Sequence, residues 1–246
     1  MYNDLVTVCI AAFAERGKKL VLTADQMVSL AFPLAYQYET EDVAKIFDLT
    51  DNVVVLSAGI AVFAQEIVDN AKKQISNSNI SSVADIAETV RREYSKLRTR
   101  LITQQFLEPR GFTLDTYYEK QNKLHPAVIQ DIESKISGEN IQVELIVAGH
   151  DGEECQIFSI HNPGTLVSHA AVGYSAVGIG APHAIYSLID DDYKRTLDED
   201  EVKEMVVKAK KRSEKAPGVG QRTTTLVLPK TGGRIPNANQ QPTESR

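Results

Sequence analysis

The chain is short of cysteine, has no tryptophan and lacks a positive balance: 246 residues carry 2 Cys, 0 Trp, and 27 Lys and Arg against 33 Asp and Glu, for a net charge of -6. Each shortage excludes something. Cys9 and Cys155 form no CxxC pair and have no flanking His at zinc-site spacing, which argues against a disulfide scaffold and against a metal site. The acidic balance argues against a nucleic-acid partner, whose electrostatic footprint is a basic patch. Long apolar runs are also missing. No window approaches the roughly eighteen uninterrupted apolar residues of a membrane span, and the opening MYNDLV has Asp4 and no basic residue before the apolar stretch. No membrane partner and a reducing, cytoplasmic location are therefore expected.

What is present suits one sizeable domain, with 42% of residues hydrophobic. Thr7 to Ala14 and Lys19 to Asp25 read as a hairpin around the turn ERGK, followed by a polar, aromatic loop around FPLAYQYETED. Ala44 to Thr50 and Asn52 to Gly59 read as a second hairpin, and the unbroken valines of the latter suit a strand covered on both faces. From Gly59 the period changes: Ile60, Phe63, Ile67, Val68 and Ala71 recur at helical spacing. Ser82 is placed to cap a longer helix from Val83 toward Phe106, with Ile86, Val90, Leu97 and Leu101 inside.

Residues Glu108 to Gly138 read as short helices around the turn NKLH and as an insertion. Strands resume at Ile141 to Gly149 and Cys155 to His161, then in the run TLVSHAAVGYSAVGIG, which ends in spaced glycines. Helical spacing returns after Pro182, and again where Thr196 and Glu199 match a capping box ahead of Val202, Met205, Val206 and Ala209. A last strand, TTTLVLP, precedes a tail, residues 230–246, whose Gly, Pro, Asn, Gln and Ser without an apolar face predict disorder. The order of strands, two helices, strands, two helices, strand predicts an α+β fold: a four-layer αββα sandwich of two antiparallel sheets, each covered by a helix pair.

TVCIAAFAERGKKLVLTADQMVS, then AKIFDL, then VVVLSAGI resemble the start of proteasome-type β subunits and their bacterial relatives among the N-terminal nucleophile hydrolases. In that family a threonine opens the first strand, an acid ends the second, a lysine opens the third and an alanine-glycine pair ends the fourth. The matching residues are Thr7, Asp25, Lys45 and Gly59, with Lys45 and Gly59 fourteen positions apart as in the family. ELIVAGHDGEECQIFSIHNPGTL and AVGIGAPHAIYSLIDDDYKRTLDEDEVKEMVVKAKKRS are similar to the later strands and last helix pair, so the resemblance covers most of the chain outside Glu108 to Gly138 and the tail.

The resemblance implies a threonine peptidase or amide hydrolase that needs no cofactor. A threonine hydroxyl attacks poorly until a base takes its proton, and a free chain-terminal amine can do so, with a pKa near neutrality. Residues 1–6 are then a leader to be removed, and residues 7–229 the domain. Lys45 beside Asp25 would lower the hydroxyl's pKa or relay its proton. Gly59 would offer its backbone N–H to a developing oxyanion. Self-assembly into rings or smaller homo-oligomers, peptide or unfolded-protein substrates and an ATP-dependent unfoldase are further implications.

Taken singly, Thr7 is a β-former at a strand start, Asp25 a strand-end acid, Lys45 an edge charge and Gly59 a strand-to-helix joint. It is the ordered set that points to chemistry. Cys9, sixteen residues before Asp25, is a rival nucleophile of the kind acylase relatives use, although a buried cysteine is most often a small hydrophobe. His125, His150, His161, His169 and His183 show no triad or metal spacing. Two departures weaken the catalytic implication, and Ile179 with the unprocessed-looking leader supports a rival, a non-catalytic scaffold like α-type subunits. Ile179 stands where the family has a supporting serine, and RSEKAPGVGQRTTT supplies only Ser213, Glu214 and Thr223 for its aspartate and serine.

Overall fold

The computed structural model describes residues 7–30, 36–40, 44–78, 80–152, 154–229 and 235–236. The expected leader, residues 1–6, lies outside these, as does the tail 230–246 except for Ile235 and Pro236.

The first hairpin forms as its pattern predicts. β1 (Cys9–Ala14) pairs antiparallel with β2 (Lys19–Asp25), register Cys9↔Ala24 to Ala14↔Lys19, through a 3-10 turn at Glu15–Gly17. FPLAYQYETED, read as a loop, contributes to a small hairpin instead: β3 (Met27–Leu30) pairs with β4 (Tyr36–Glu39). Residues 31–35 and 41–43 lie outside the described ones. β5 (Ile46–Asp48) and β6 (Val53–Gly59) form the second predicted hairpin, and helices α1 (Ala61–Ser78) and α2 (Val83–Ile102) follow. Ser82 caps α2 as expected, its side chain accepting from Asp85 N at 3.1 Å. The helix does not run as α to Phe106: a π turn occupies Thr103–Leu107 and a 3-10 turn Glu108–Arg110. Pro109 within the latter has no N–H to continue the ladder.

The segment after α2 holds α3 (Leu114–Lys120) and α4 (Pro126–Gly138), which gather around their own buried trio Leu107, Tyr117 and Ile132. Arg98 of α2 ties this lobe down, donating from Nη2 to Ile136 O at 2.7 Å. β7 (Val143–His150) and β8 (Cys155–His161) come next. The glycine-ended run then splits between sheets, as β9 (Thr165–Ser168) beside β8 and β10 (Tyr174–Val177) beside β1. Helices α5 (Ala181–Asp190) and α6 (Glu199–Ser213) lead to β11 (Thr223–Pro229) and β12 (Ile235–Pro236). The capping box of α6 sits two residues later than predicted, on Asp198 and Glu201. Glu199 instead meets Lys19 Nζ at 2.7 Å.

Two five-stranded antiparallel sheets result, ordered β10-β1-β2-β11-β12 and β5-β6-β7-β8-β9. Side-chain alternation stacks them into the four-layer αββα sandwich. Cys9, Ala11, Phe13, Leu22, Val54, Leu56, Ile146 and Ile157 meet between the sheets. Ile10, Ala12 and Val21 face α5 and α6, while Val53, Val55, Leu145 and Val147 face α1 and α2. The valine run at 53–55 is unbroken because both faces of β6 are covered. Among the described residues no helix is long and apolar enough to cross a membrane.

One polar chain interrupts the apolar space at the β8 to β10 edge. Ser159 is fully buried, and its Oγ lies 2.8 Å from His169 Nε2 and 2.9 Å from His161 Nε2; Ser175 Oγ is 3.2 Å from His169 Nε2. Burial first, and then the neighbouring His161, hold the His169 pKa below its ordinary value. A histidine with a lowered folded-state pKa contributes stability that is complete above about pH 6.5, the unfolded value, and is lost as pH falls through the folded one. Thermal unfolding followed from pH 8 to 5 should therefore show a falling Tm, with a shallower fall in His169→Gln.

Candidate active site

At one end of the sandwich, strand pairing alone brings residues far apart in sequence together. Thr7 lies two residues before the start of β1, and Asp25 is the last residue of β2. The pair is locked by two bonds: Asp25 N donates to Val8 O at 3.2 Å, and Val8 N donates to Asp25 Oδ1 at 3.1 Å. Lys45 immediately precedes β5 of the other sheet, and its carbonyl accepts from Ser57 N at 2.9 Å. Its side chain crosses to the first sheet. Lys45 Nζ donates to Thr7 Oγ1 in a short contact and to Asp25 Oδ1 at 2.8 Å. The pair is largely withdrawn from water, with side-chain exposure of 11% for Lys45 and 0% for Asp25.

A buried carboxylate without partners is costly, and Asp25 has four. Beyond Val8 N and Lys45 Nζ at Oδ1, Oδ2 accepts from Gly220 N at 2.8 Å and Met27 N at 3.2 Å. The loop that carries Gly220 is itself pinned. Glu39 of β4 accepts from Gln221 N and from Arg222 N, and the fully buried Lys210 donates to Gln221 O at 2.7 Å and to Glu214 Oε1 at 2.8 Å. A side chain at 220 would collide with Glu39 Oε1, 2.5 Å from an ideal Cβ. Sequence reasoning missed Lys210 and Glu39. Helical spacing on α6 could have flagged the lysine, which shares the buried face of Val202, Val206 and Ser213.

Thr7 is held as tightly by its main chain. It is 2% exposed and adopts φ 124°, a left-handed value unfavourable for a β-branched residue. Gly180 N donates to Thr7 O at 3.1 Å, and Gly178, at φ 91°, comes so close that an added Cβ would stand 2.4 Å from that oxygen. The spaced glycines of AVGIGAP thus serve a close approach of two backbones. Gly59, at φ 103°, ends β6 opposite Val143. The preceding Ala58 faces the same Gly178, its Cβ 3.1 Å from the position a Cβ there would take.

The remaining candidates are engaged elsewhere. Ser213 Oγ lies 2.9 Å from both Gly180 O and Ala209 O, so it touches the glycine turn and not Thr7. Glu214 pairs with Lys210, Thr223 donates to Gln221 O at 3.4 Å, and Ile179 packs into the apolar cluster under α5 and α6. Cys9 faces the space between the sheets with its thiol 3.2 Å from Ser57 O, and burial pushes that thiol well above its ordinary pKa despite the nearby Lys45. That is the environment of an inert structural cysteine.

Chemically, the ammonium of Lys45 sits where it would stabilise negative charge on Thr7 Oγ1, and Asp25 holds the ammonium there. Comparison with known proteins bears on the fold. The family model Proteasome subunit matches residues 117–223, a stretch that begins after the four candidate residues and runs from α3 to the start of β11. A relative from Methanopyrus kandleri, described as Proteasome subunit beta, is 22% identical over 228 residues, spanning 92% of this chain and 89% of its own length.

The donor set around Asp25 separates two substitutions. Asp25→Asn turns one acceptor into an NH2 that must face N–H donors, whereas Lys45→Met leaves the carboxylate with three N–H partners. Asp25→Asn is expected to cost about 3 kcal/mol or more, and Lys45→Met clearly less. Urea denaturation of both variants checks the order.

Proposed function

We propose that the chain is a proteasome-type β subunit, a threonine peptidase or amide hydrolase working through Thr7, a reading supported by the match of residues 117–223 to the Proteasome subunit model and by the similarity to the Methanopyrus kandleri relative. The observation that carries this reading is Lys45 Nζ bridging Thr7 Oγ1 and Asp25 Oδ1. Cleavage of the Val6–Thr7 bond would free the Thr7 amine. That amine then takes the hydroxyl proton while Oγ1 attacks the carbonyl carbon of a peptide or amide. The tetrahedral oxyanion is met by the Gly59 N–H, and collapse passes the proton to the departing amine and leaves an acyl ester on Thr7. Water attacks the ester, releasing the acid and restoring the hydroxyl. Lys45 favours the developing alkoxide throughout, and Asp25 keeps Lys45 in place.

The relative's description as a subunit supports self-association, as a ring or a smaller homo-oligomer. Peptides or unfolded chains are the matching substrates, an ATP-dependent unfoldase their supplier, and the cytoplasm the matching compartment. A second reading, a non-catalytic ring subunit, is favoured by Ile179 in the turn beside Thr7 and by Ser213 meeting Gly180 O.

Intact-mass spectrometry separates the two. The purified protein should lose residues 1–6 and gain one adduct from a β-lactone electrophile, while Thr7→Ala keeps the six residues and gains none. A wild-type chain that retains residues 1–6 under all conditions and stays unmodified would exclude the peptidase reading.

A further inference from the structure

β7 alternates strictly. Val143, Leu145 and Val147 face α1 and α2, while Ile146 and Ala148 face the space between the sheets. Glu144 shares the face of Ile146 and Ala148, where a carboxylate is expensive unless its oxygens are satisfied. Both are. Oε2 accepts from Gly178 N at 2.8 Å, and His161 Nδ1 lies 3.4 Å from Oε1. Burial alone would raise the Glu144 carboxyl, but the His161 contact and the Gly178 N–H together hold it below the ordinary carboxylate range.

We propose that Glu144 is a positioning residue for Thr7, acting through the Gly178–Gly180 turn; this rests on the reading of Thr7 as nucleophile. Gly178 abuts the Thr7 carbonyl and Gly180 N donates to it, so whatever fixes the turn fixes the main chain that carries the hydroxyl. The turn is gripped from two sides. Ser213 meets Gly180 O from the α6 side, and Glu144 meets Gly178 N from the opposite sheet. Glu144 also lies directly across from Ala58, the residue before Gly59, so one carboxylate references the turn to the strand end that offers the oxyanion donor.

Behind Glu144, a polar chain through His161, the buried Ser159 and His169 orients the carboxylate. His161 Nδ1 faces Glu144 and its Nε2 faces Ser159 Oγ, so the tautomer with the proton on Nδ1 lets Nε2 accept from the Ser159 hydroxyl. Ser159 Oγ in turn accepts from His169 Nε2. Every hydrogen then runs toward Glu144, which suits an acceptor-only carboxylate.

The test uses the full chain with Glu144→Leu, which suits the surrounding apolar face but accepts nothing, and Glu144→Gln, which keeps one oxygen for Gly178 N. Glu144→Ala replaces the leucine variant if that one does not fold. Two quantities are read: the second-order rate of Thr7 modification by a β-lactone, and hydrogen–deuterium exchange of the peptide spanning the turn. Glu144→Leu should react about 10- to 100-fold more slowly, as expected for a misplaced reacting group, and exchange faster at the turn with its Tm little changed. Glu144→Gln should recover most of the rate and the protection. Wild-type rate and protection in Glu144→Leu would overturn the proposal. An unreactive wild type would instead remove the peptidase reading, and exchange at the turn would then decide alone whether Glu144 holds it.

Discussion

A buried Lys45–Asp25 charge pair is the constraint around which this end of the molecule is organised. A carboxylate and an ammonium withdrawn from water are tolerable only when the remaining lone pairs and protons find partners. Asp25 therefore draws in Val8 N, Met27 N and Gly220 N, and Lys45 spends one proton on Thr7 Oγ1. Because Asp25 belongs to one sheet and Lys45 to the other, the pair also staples the two sheets at the end where Thr7 emerges.

The rest of the sandwich supplies what the pair cannot. Apolar alternation on β1 and β6 buries both faces of each sheet, which fixes the strand ends relative to one another. The pinned loop at Gly220 then rests on Glu39 and Lys210, and the glycine turn on Ser213 and Glu144. The architecture is in keeping with the match of residues 117–223 to the Proteasome subunit model. The proposed role of Thr7 rests on local geometry, since the matched segment 117–223 begins beyond all four candidate residues.

Much of this was legible in the amino-acid pattern. The period-2 and period-3.6 stretches located the main strands and all four covering helices, and Ser82 capped α2 as read. Where the pattern was ambiguous, the expectation moved: Thr196 with Glu199 and Asp198 with Glu201 both satisfy a capping box, and only the latter pair sits at the real helix start. FPLAYQYETED looked like a loop because its aromatic and polar residues follow no clean period, yet its Tyr36–Glu39 stretch pairs with Met27–Leu30, and Glu39 clasps the Gln221 backbone. The glycine-ended run looked like one strand, since a crossing from one sheet to the other leaves no mark in composition.

What the sequence by itself determined, then, is the set of elements and the chemical types available at Thr7, Asp25, Lys45 and Gly59, because local propensity and apolar spacing act over a few residues. Which partners those groups meet was decided only in three dimensions. Glu144 reaching Gly178 from the opposite sheet and Cys9 turning inward depend on contacts 34 and 48 residues apart, and Lys210 anchors a loop 11 residues on. Such contacts are selected by how two sheets pack and register, and no local stretch of sequence encodes that.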